Sequence, residues 1–162
     1  MPSEVPSPVT VVRELPDSPV AAAMVSSYVD HLVSVQPGFD VSLDSPPPPG
    51  AFEPPRGSFL VLYDARIAVG CGAVWEMEPG VAEIRRMWVV PSHQGRGLGR
   101  RMLTTLEEEA VELGCHTARL DSMRVLTPAV ALYRSQGYRE IGRYNVNPNA
   151  DIWMERDLGA RD

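Results

Sequence analysis

The run Met87-Trp88-Val89-Val90-Pro91-Ser92-His93-Gln94-Gly95-Arg96-Gly97-Leu98-Gly99-Arg100-Arg101 decides how this chain is read. An apolar strand enters a turn with glycine at every second position, and an amphipathic helix starts at once. Glycine lets the backbone come close to a ligand, because no Cβ blocks the approach. The helix N-terminus behind it offers unpaired N–H groups and the positive end of the macrodipole, which together favour an anion such as a pyrophosphate. The charges agree. Arg100 and Arg101 sit in the first helical turn, where cations are ordinarily unfavourable, and Glu107, Glu108, Glu109 and Glu112 lie further along. That inverted order makes sense if an anion occupies the helix start, so the segment reads as a phosphate-binding loop.

Two familiar nucleotide loops do not fit. A P-loop ends in Gly-Lys-Ser/Thr, and this chain contains no lysine. The dinucleotide fingerprint needs Gly-x-Gly-x-x-Gly with an acidic residue about twenty positions on; here the glycines are 95, 97 and 99, and residues 112–121 meet the acidic requirement only loosely. The pattern that does fit is Gln/Arg-x-x-Gly-x-Gly/Ala, met by Gln94, Gly97 and Gly99 after a strand and Pro91. This resembles the acetyl-CoA loop of the GCN5-related N-acetyltransferases. Downstream, Thr117-Ala118-Arg119-Leu120-Asp121 alternates like a strand, and Thr127-Pro128 is a good helix start, with Thr as N-cap and Pro in the first turn. Then Ala129 to Tyr138 reads as a short helix closed by Gly137. Its Leu132-Tyr133 followed by Gly137-Tyr138 is similar to the family's second motif. The two motifs span residues 81–158, and the N-terminal half matches only in layout. One position departs: many members carry an asparagine seven residues before the helical tyrosine, where it contacts the cofactor, and this chain has Leu126.

The resemblance implies a mixed α/β domain, a twisted and mostly antiparallel sheet flanked by helices, with acetyl-CoA as cosubstrate. It implies that the strand at Met87, Trp88 and Val89 splays from its neighbour and offers backbone N–H groups to the thioester carbonyl and pantetheine. The Trp88 side chain itself points to the other face and reads as core. The rest of the cofactor contact falls on Gln94, Gly95, Arg96, Gly97, Leu98, Gly99 and Arg100.

Composition sets the outer bounds. At 162 residues with 44% apolar content, residues 1–162 suit one folded domain with a real core. No segment approaches twenty consecutive apolar residues, so a membrane span is not expected. Residues 1–10 are rich in Pro and Ser without a basic start or an apolar run, which argues against a secretory signal; residues 1–8 read as a disordered tail and the protein as cytoplasmic. Cys71 and Cys115 provide neither a disulfide framework nor metal-ligand spacing and read as buried thiols. The net charge of −6 argues against general nucleic-acid binding. Arg85, Arg86, Arg96, Arg100 and Arg101 nonetheless lie in one stretch without an acidic residue, a local patch suited to a small polyanion such as coenzyme A. The acidic remainder could steer amines inward. Any self-assembly is expected to be a homodimer.

Residues 9–15 read as a strand and 17–35 as a helix with apolar Val20, Met24, Val25, Tyr28, Leu32 and Val35 at helical spacing. From 36 to 57 prolines impose an irregular path within the domain, either a functional loop or a surface insertion. Strands follow at 58–63, 67–77 and 81–90, a helix at 98–113, and final strands at 138–144 and 151–158. Gly70 and Gly72 inside a strand suggest a bulge or close backbone approach.

Acetyl transfer from a thioester needs a neutral amine, a stabilised oxyanion and a protonated leaving thiolate, with no metal. Tyr133 is the candidate acid: by family resemblance this position protonates the coenzyme A thiolate, against the reading of a packed core tyrosine. Glu83 is the candidate base, directly or through water, against the reading of an ion pair with Arg85 or another arginine. Strand alternation places Glu83, Arg85, Met87 and Val89 on one face. His93, chemically attractive as a base, reads as a surface residue near the phosphates. Acceptor recognition is expected from Tyr28, His31, Phe39, Phe52 and the loop 144–149. The expected function is acetyl transfer to the primary amine of a small molecule. Alternatives are a protein or peptide N-terminal acetyltransferase and a non-catalytic acyl-CoA-binding regulator.

Overall fold

Residues 57–64 and 67–78 are apolar on both faces, and such runs form strands covered on both sides. The computed structural model of the chain describes residues 8–43 and 46–159. The expected N-terminal tail lies, up to residue 7, outside the described residues, as do residues 44–45 of the proline-rich stretch.

In chain order the elements are β1 (Val9–Glu14), α1 (Pro19–Val35), β2 (Gly57–Asp64), β3 (Ile67–Glu78), β4 (Val81–Val89), α2 (Leu98–Glu112), β5 (Thr117–Ser122), α3 (Thr127–Ser135), β6 (Arg139–Ile141) and β7 (Ile152–Asp157). Short 3₁₀ turns form at Val41–Leu43 and Pro91–His93. The strands make one sheet in the order β1-β2-β3-β4-β5-β7-β6. Only β4 and β5 run parallel; every other neighbouring pair is antiparallel. This is the mixed sheet flanked by helices that the sequence predicts.

Strand alternation sorts the core into two layers. Leu60, Leu62 and Ile84 meet Met102, Leu103 and Leu106 of α2 on one face. Phe59, Val61, Ala73 and Trp75 meet Ala21 and Met24 of α1 on the other. Leu103 and Leu106 are fully buried, each contributing about 1.5–3 kcal/mol of apolar burial. Leu106 also explains a glycine: a Cβ on Gly72 would stand 2.7 Å from Leu106 Cδ1, so α2 lies directly on β3 there. One charge is buried beneath α2. Glu107 accepts from the Tyr138 hydroxyl at 2.8 Å, Arg156 Nη1 at 2.8 Å and Gln136 Nε2 at 3.1 Å, tying α2 to the end of α3 and to β7. Removing Arg156 would leave that carboxylate short of its counter-ion, a change of the kind that costs about 3 kcal/mol or more.

Three local expectations shift. The helix expected from 17 starts at Pro19, capped by Ser18, whose hydroxyl accepts from Ala21 N at 3.2 Å. Thr127 is inside α3, whose N-cap is Leu126 without a side-chain cap bond. The strand expected at 138–144 is reduced to β6, because Arg143 leaves the sheet to lie 4.8 Å from the Trp153 ring centroid and Tyr144 turns toward Glu83.

Candidate functional site

The site begins where two strands part. β4 pairs with β5 only at Val81↔Thr117, Ala82↔Ala118 and Glu83↔Arg119, and beyond Glu83 they diverge into a wedge. Against β3, the pairing steps from Ala73↔Arg85 to Cys71↔Trp88, so β4 carries one extra residue there. That bulge is centred on Arg86, whose φ of 57° is left-handed, an uncommon conformation for a side-chain-bearing residue. Its carbonyl accepts from the Cys71 thiol at 3.2 Å.

The bulge corrects one expectation. An inserted residue reverses the alternation, so Glu83, Arg85, Met87 and Val89 do not share a face. Glu83 bonds Trp75 on the α1 side, whereas Met87 and Val89 pack with the α2 layer. Trp88 turns away from Met87 and Val89, as expected, but onto the α1 side that Glu83 shares, which was not; its ring lies 6.1 Å from Tyr28 and 5.8 Å from His31, and its indole N–H is buried with no partner among the described residues.

The wedge opens into a cavity of about 860 Å³. At one end lies the glycine loop. Gly95 and Gly97 have φ of 80° and 78°, and a Cβ on either would meet nothing within 4 Å, so both face open space in a conformation side chains disfavour. Gln94 Nε2 donates to the Val89 carbonyl at 2.8 Å and anchors the loop to the end of β4. The first intrahelical bond of α2 is Arg101 N to Gly97 O, and no side chain caps the helix. The N–H groups of its first turn are therefore presented to whatever lies before it, and pyrophosphate suits them. Gln94, Gly95, Gly97, Gly99 and Arg100 line the cavity together with Met87, Trp88 and Val89. Leu98 is buried in the α2 layer and Arg96 is exposed outside the cavity lining. Arg100 bonds Gln136 and Ser135 at 2.7 Å each, and Arg101 reaches the Val9 carbonyl. His93 bonds Asp64 at 2.8 Å and Ser92 at 2.9 Å, so it braces the loop.

Tyr133 reaches the middle of the cavity from α3. It is 6% exposed and rests edge-on against Tyr138 at 6.0 Å, and its hydroxyl makes no hydrogen bond to a described residue. Burial, and after it the Asp121 carboxylate, pushes the phenol above its ordinary value of 10, so it stays a proton donor throughout the neutral range. Leu126 lines the same wall, an apolar side chain at the position where the resemblance leads one to expect an amide.

At the other end, residues far apart in sequence converge. Glu83 is 4% exposed and accepts from Trp75 Nε1 at 2.9 Å, the Tyr144 hydroxyl at 2.8 Å and Asn145 Nδ2 at 3.3 Å, with Arg85 Nε 3.9 Å away. It does not line the cavity. Asp121 does, one oxygen accepting from Asn145 Nδ2 at 2.6 Å and the other from Asn147 Nδ2 at 3.2 Å. Asn145 thus bridges the two carboxylates. Burial, followed by the charges of Glu83 and Asp121, raises the Tyr144 phenol above its ordinary value. Tyr28, His31, Phe39, Asn147 and Asn149 line this end, whereas Phe52 is core. Asp40 N donates to Asn149 Oδ1 at 3.1 Å and Asn149 Nδ2 donates to the Asp40 carbonyl at 2.9 Å, a two-bond clasp between the proline-rich loop and the loop before β7.

Asp121 is the site residue that sequence reasoning missed, whereas Asn145 falls in the loop 144–149 expected at the acceptor end, though not as a bridge between carboxylates. Asp121 ends a run that alternates as a strand, and its acidic side chain at the C-terminal end of that strand is the signal that could have singled it out. No such signal marks Asn145, since asparagines in a loop ordinarily form turns. Cys71 and Cys115 are buried thiols with raised values of about 12 and about 11, mainly from burial. Among the described residues no group of His, Cys, Asp and Glu could hold a metal ion, and no helix is long and apolar enough to cross a membrane.

The sequence matches the acetyltransferase (GNAT) family over residues 17–138. The IAA acetyltransferase of Azospirillum brasilense is 29% identical over 157 residues, covering 93% of this chain and 98% of that protein. A GNAT family acetyltransferase from Staphylococcus aureus superposes with a TM-score of 0.78 at 13% identity, covering 93% of this chain and 99% of the other. A GNAT family acetyltransferase from Elizabethkingia anophelis with acetyl-CoA bound has a TM-score of 0.63 at 13% identity, covering 93% and 98%. At these identities the two structures share the fold. The glycine loop before an uncapped helix, the splayed β4–β5 pair and the tyrosine between them are therefore those of a family member: the chain belongs to the GNAT acetyltransferases and is an N-acetyltransferase.

Proposed function

We propose that this enzyme transfers an acetyl group from acetyl-CoA to the primary amine of a small molecule by direct attack in a ternary complex. The observation that carries this reading is one continuous cavity running from the glycine loop, past the Tyr133 hydroxyl, to an acceptor end clasped by Asp40 and Asn149. A loop tied across that end suits a small acceptor better than a peptide threaded through a groove. The phosphates fit the first turn of α2, where Gly95 and Gly97 leave the space a Cβ would take. The pantetheine arm fits the wedge, where β4 beyond Glu83 has no β5 partner.

In the transfer, the amine nitrogen bonds to the acetyl carbonyl carbon, the carbon–sulfur bond breaks, and the sulfur takes the Tyr133 phenolic proton. The nitrogen loses its proton to a carboxylate. Asp121 faces the cavity and holds one amide donor on each oxygen, which leaves lone pairs toward the acceptor. Glu83 acts one step back, fixing Tyr144 and Asn145 and through Asn145 orienting Asp121. The direct test is release of free thiol from acetyl-CoA over a panel of amines, amino acids, polyamines and peptides. Turnover of small amines is expected, and turnover confined to peptides would overturn the small-molecule reading.

A further inference from the structure

Asp121 is gripped by two amides whose orientation is itself fixed. Asn145 Nδ2 donates to one of its oxygens at 2.6 Å and Asn147 Nδ2 to the other at 3.2 Å. An asparagine amide carries an acceptor oxygen and a donor nitrogen, and a half-turn about its last side-chain bond exchanges them. In both amides that half-turn is opposed. The Asn145 oxygen accepts from the Trp153 indole N–H at 2.8 Å, and the Asn147 oxygen accepts from the backbone N–H of Asn149 at 3.1 Å. Indole and backbone N–H groups only donate. A turned amide would set nitrogen against nitrogen on one side and oxygen against a carboxylate on the other. The second Asn145 hydrogen goes to Glu83 at 3.3 Å, so this amide is fully used.

Trp153 reaches this place through the sheet register. It lies directly across from Asp121 in the antiparallel β5–β7 pair, and directly opposed residues project from the same face. Arg143 covers its ring, 4.8 Å from the centroid, and the residue is 8% exposed. Neither Trp153 nor Asn145 lines the cavity, so neither is placed to touch an acceptor. Their bonds lead to Asp121, which does line it.

On the acetyl-transfer reading with Asp121 as base, on which this rests, we propose that Trp153 and Asn145 are positioning residues for that base. Trp153 fixes the polarity of the Asn145 amide, and Asn145 and Asn147 fix the rotation of the carboxylate. When the amine nitrogen bonds to the acetyl carbon, its proton passes to an oxygen already aimed at it. The carbon–sulfur bond breaks, and the sulfur takes the Tyr133 proton. A carboxylate turned out of line loses rate even though it is still present.

The test uses the full-length enzyme and an amine that the parent turns over, with thiol release as the readout. Trp153→Phe removes the indole N–H and keeps a ring beneath Arg143. Asn145→Leu removes the amide at similar volume and adds no charge. Each is expected to lower kcat about 10-fold, with acceptor KM and calorimetric coenzyme A affinity near parental. The same substitutions are then made in the Asp121→Asn enzyme. There they are expected to change kcat by less than about 2-fold, because the carboxylate they aim is gone. Damage to packing or to the cofactor end would lower the rate in both backgrounds. Equal losses in both backgrounds would therefore overturn the proposal, as would parental kcat in both variants, and acetyl transfer would stand in either case. If Asn145→Leu lost coenzyme A affinity through misfolding, Trp153→Phe alone would decide. Parental kcat in Asp121→Asn itself would mean that Asp121 is not the base, and the proposal would fall with that assignment. A parent that turns over no acceptor would remove the acetyl-transfer reading, and this proposal with it.

Discussion

The two ends of the cavity are built in opposite ways. The cofactor end is a single continuous segment, Val89 to Arg101, whose backbone path is set largely by chain neighbours: Gln94 bonds Val89, two glycines turn left-handed, and α2 begins, with His93, Arg100 and Arg101 tying its outside to the rest of the fold. The acceptor end draws on Glu83, Asp121, Tyr144, Asn145 and Asn149, separated by up to 66 positions and joined only through the fold. A contiguous loop depends on local conformation and tolerates distant change. A convergent network depends on every element that carries one of its members. Substitutions at the first end should act on cofactor affinity, and those at the second on rate and on choice of acceptor.

Tyr133 lies between the ends and should show the largest effect. Tyr133→Phe removes only a hydroxyl with no partner among the described residues, so packing and cofactor affinity should hold, while the single-turnover rate falls by roughly 10²–10⁴. A parental single-turnover rate would make Tyr133 a packing residue, and the two ends would then share no acid. The pH profile adds a sign. Burial raises the Tyr133 phenol above 10, so its neutral, proton-donating form persists to alkaline pH. The parental rate should rise with pH as the amine deprotonates and show no downturn from Tyr133 below about 10.

The carboxylates come next. Asp121→Asn should lower the rate by about 10², most at low pH, with partial recovery as pH rises, because a base is needed only while the amine is protonated. Glu83→Gln keeps the shape of the side chain and should cost less, with a loss that changes little with pH. If instead Glu83→Gln gave the pH-dependent loss and Asp121→Asn did not, the base would be Glu83, acting through Tyr144 or water.

Gly97→Val tests the cofactor end alone. A β-branched residue at a φ of 78° is strained by about 1–3 kcal/mol, and its side chain would enter the space before α2. Calorimetry should show coenzyme A binding weakened by about 10–100-fold, with acceptor preference unchanged. Unaltered affinity would detach the loop from the phosphates. The smallest effect belongs to the clasp. Asn149→Ala removes two hydrogen bonds at the rim and should raise acceptor KM by a few-fold, about 1 kcal/mol, and admit bulkier amines. Stricter selectivity in this variant would mean the clasp does not close the acceptor end.

Much of this was legible in the sequence, and the division follows the range of the interactions. Continuous apolar runs within 57–78 mark strands covered on both sides, helical spacing of Met102, Leu106 and Ala110 marks the buried face of α2, and Gly95 and Gly97 mark the anion loop, all from neighbours within a few residues. The mixed sheet and the position of Tyr133 beside the cavity follow from those signals and from the family resemblance they carry. Three features came only with the tertiary structure. The bulge at Arg86 reversed the expected face of Met87 and Val89, because an inserted residue is defined by the partner strand and not by its own. The Glu83–Asn145–Asp121 bridge joins β4, β5 and a loop whose asparagines look like ordinary turn formers. The Asp40–Asn149 clasp spans 109 positions between two loops without periodicity. Local patterning determines which residues form strands, helices and glycine turns. Which carboxylate faces the cavity, and which arginines face it from across the wedge, depends on how the elements pack, and no short stretch of sequence carries that information.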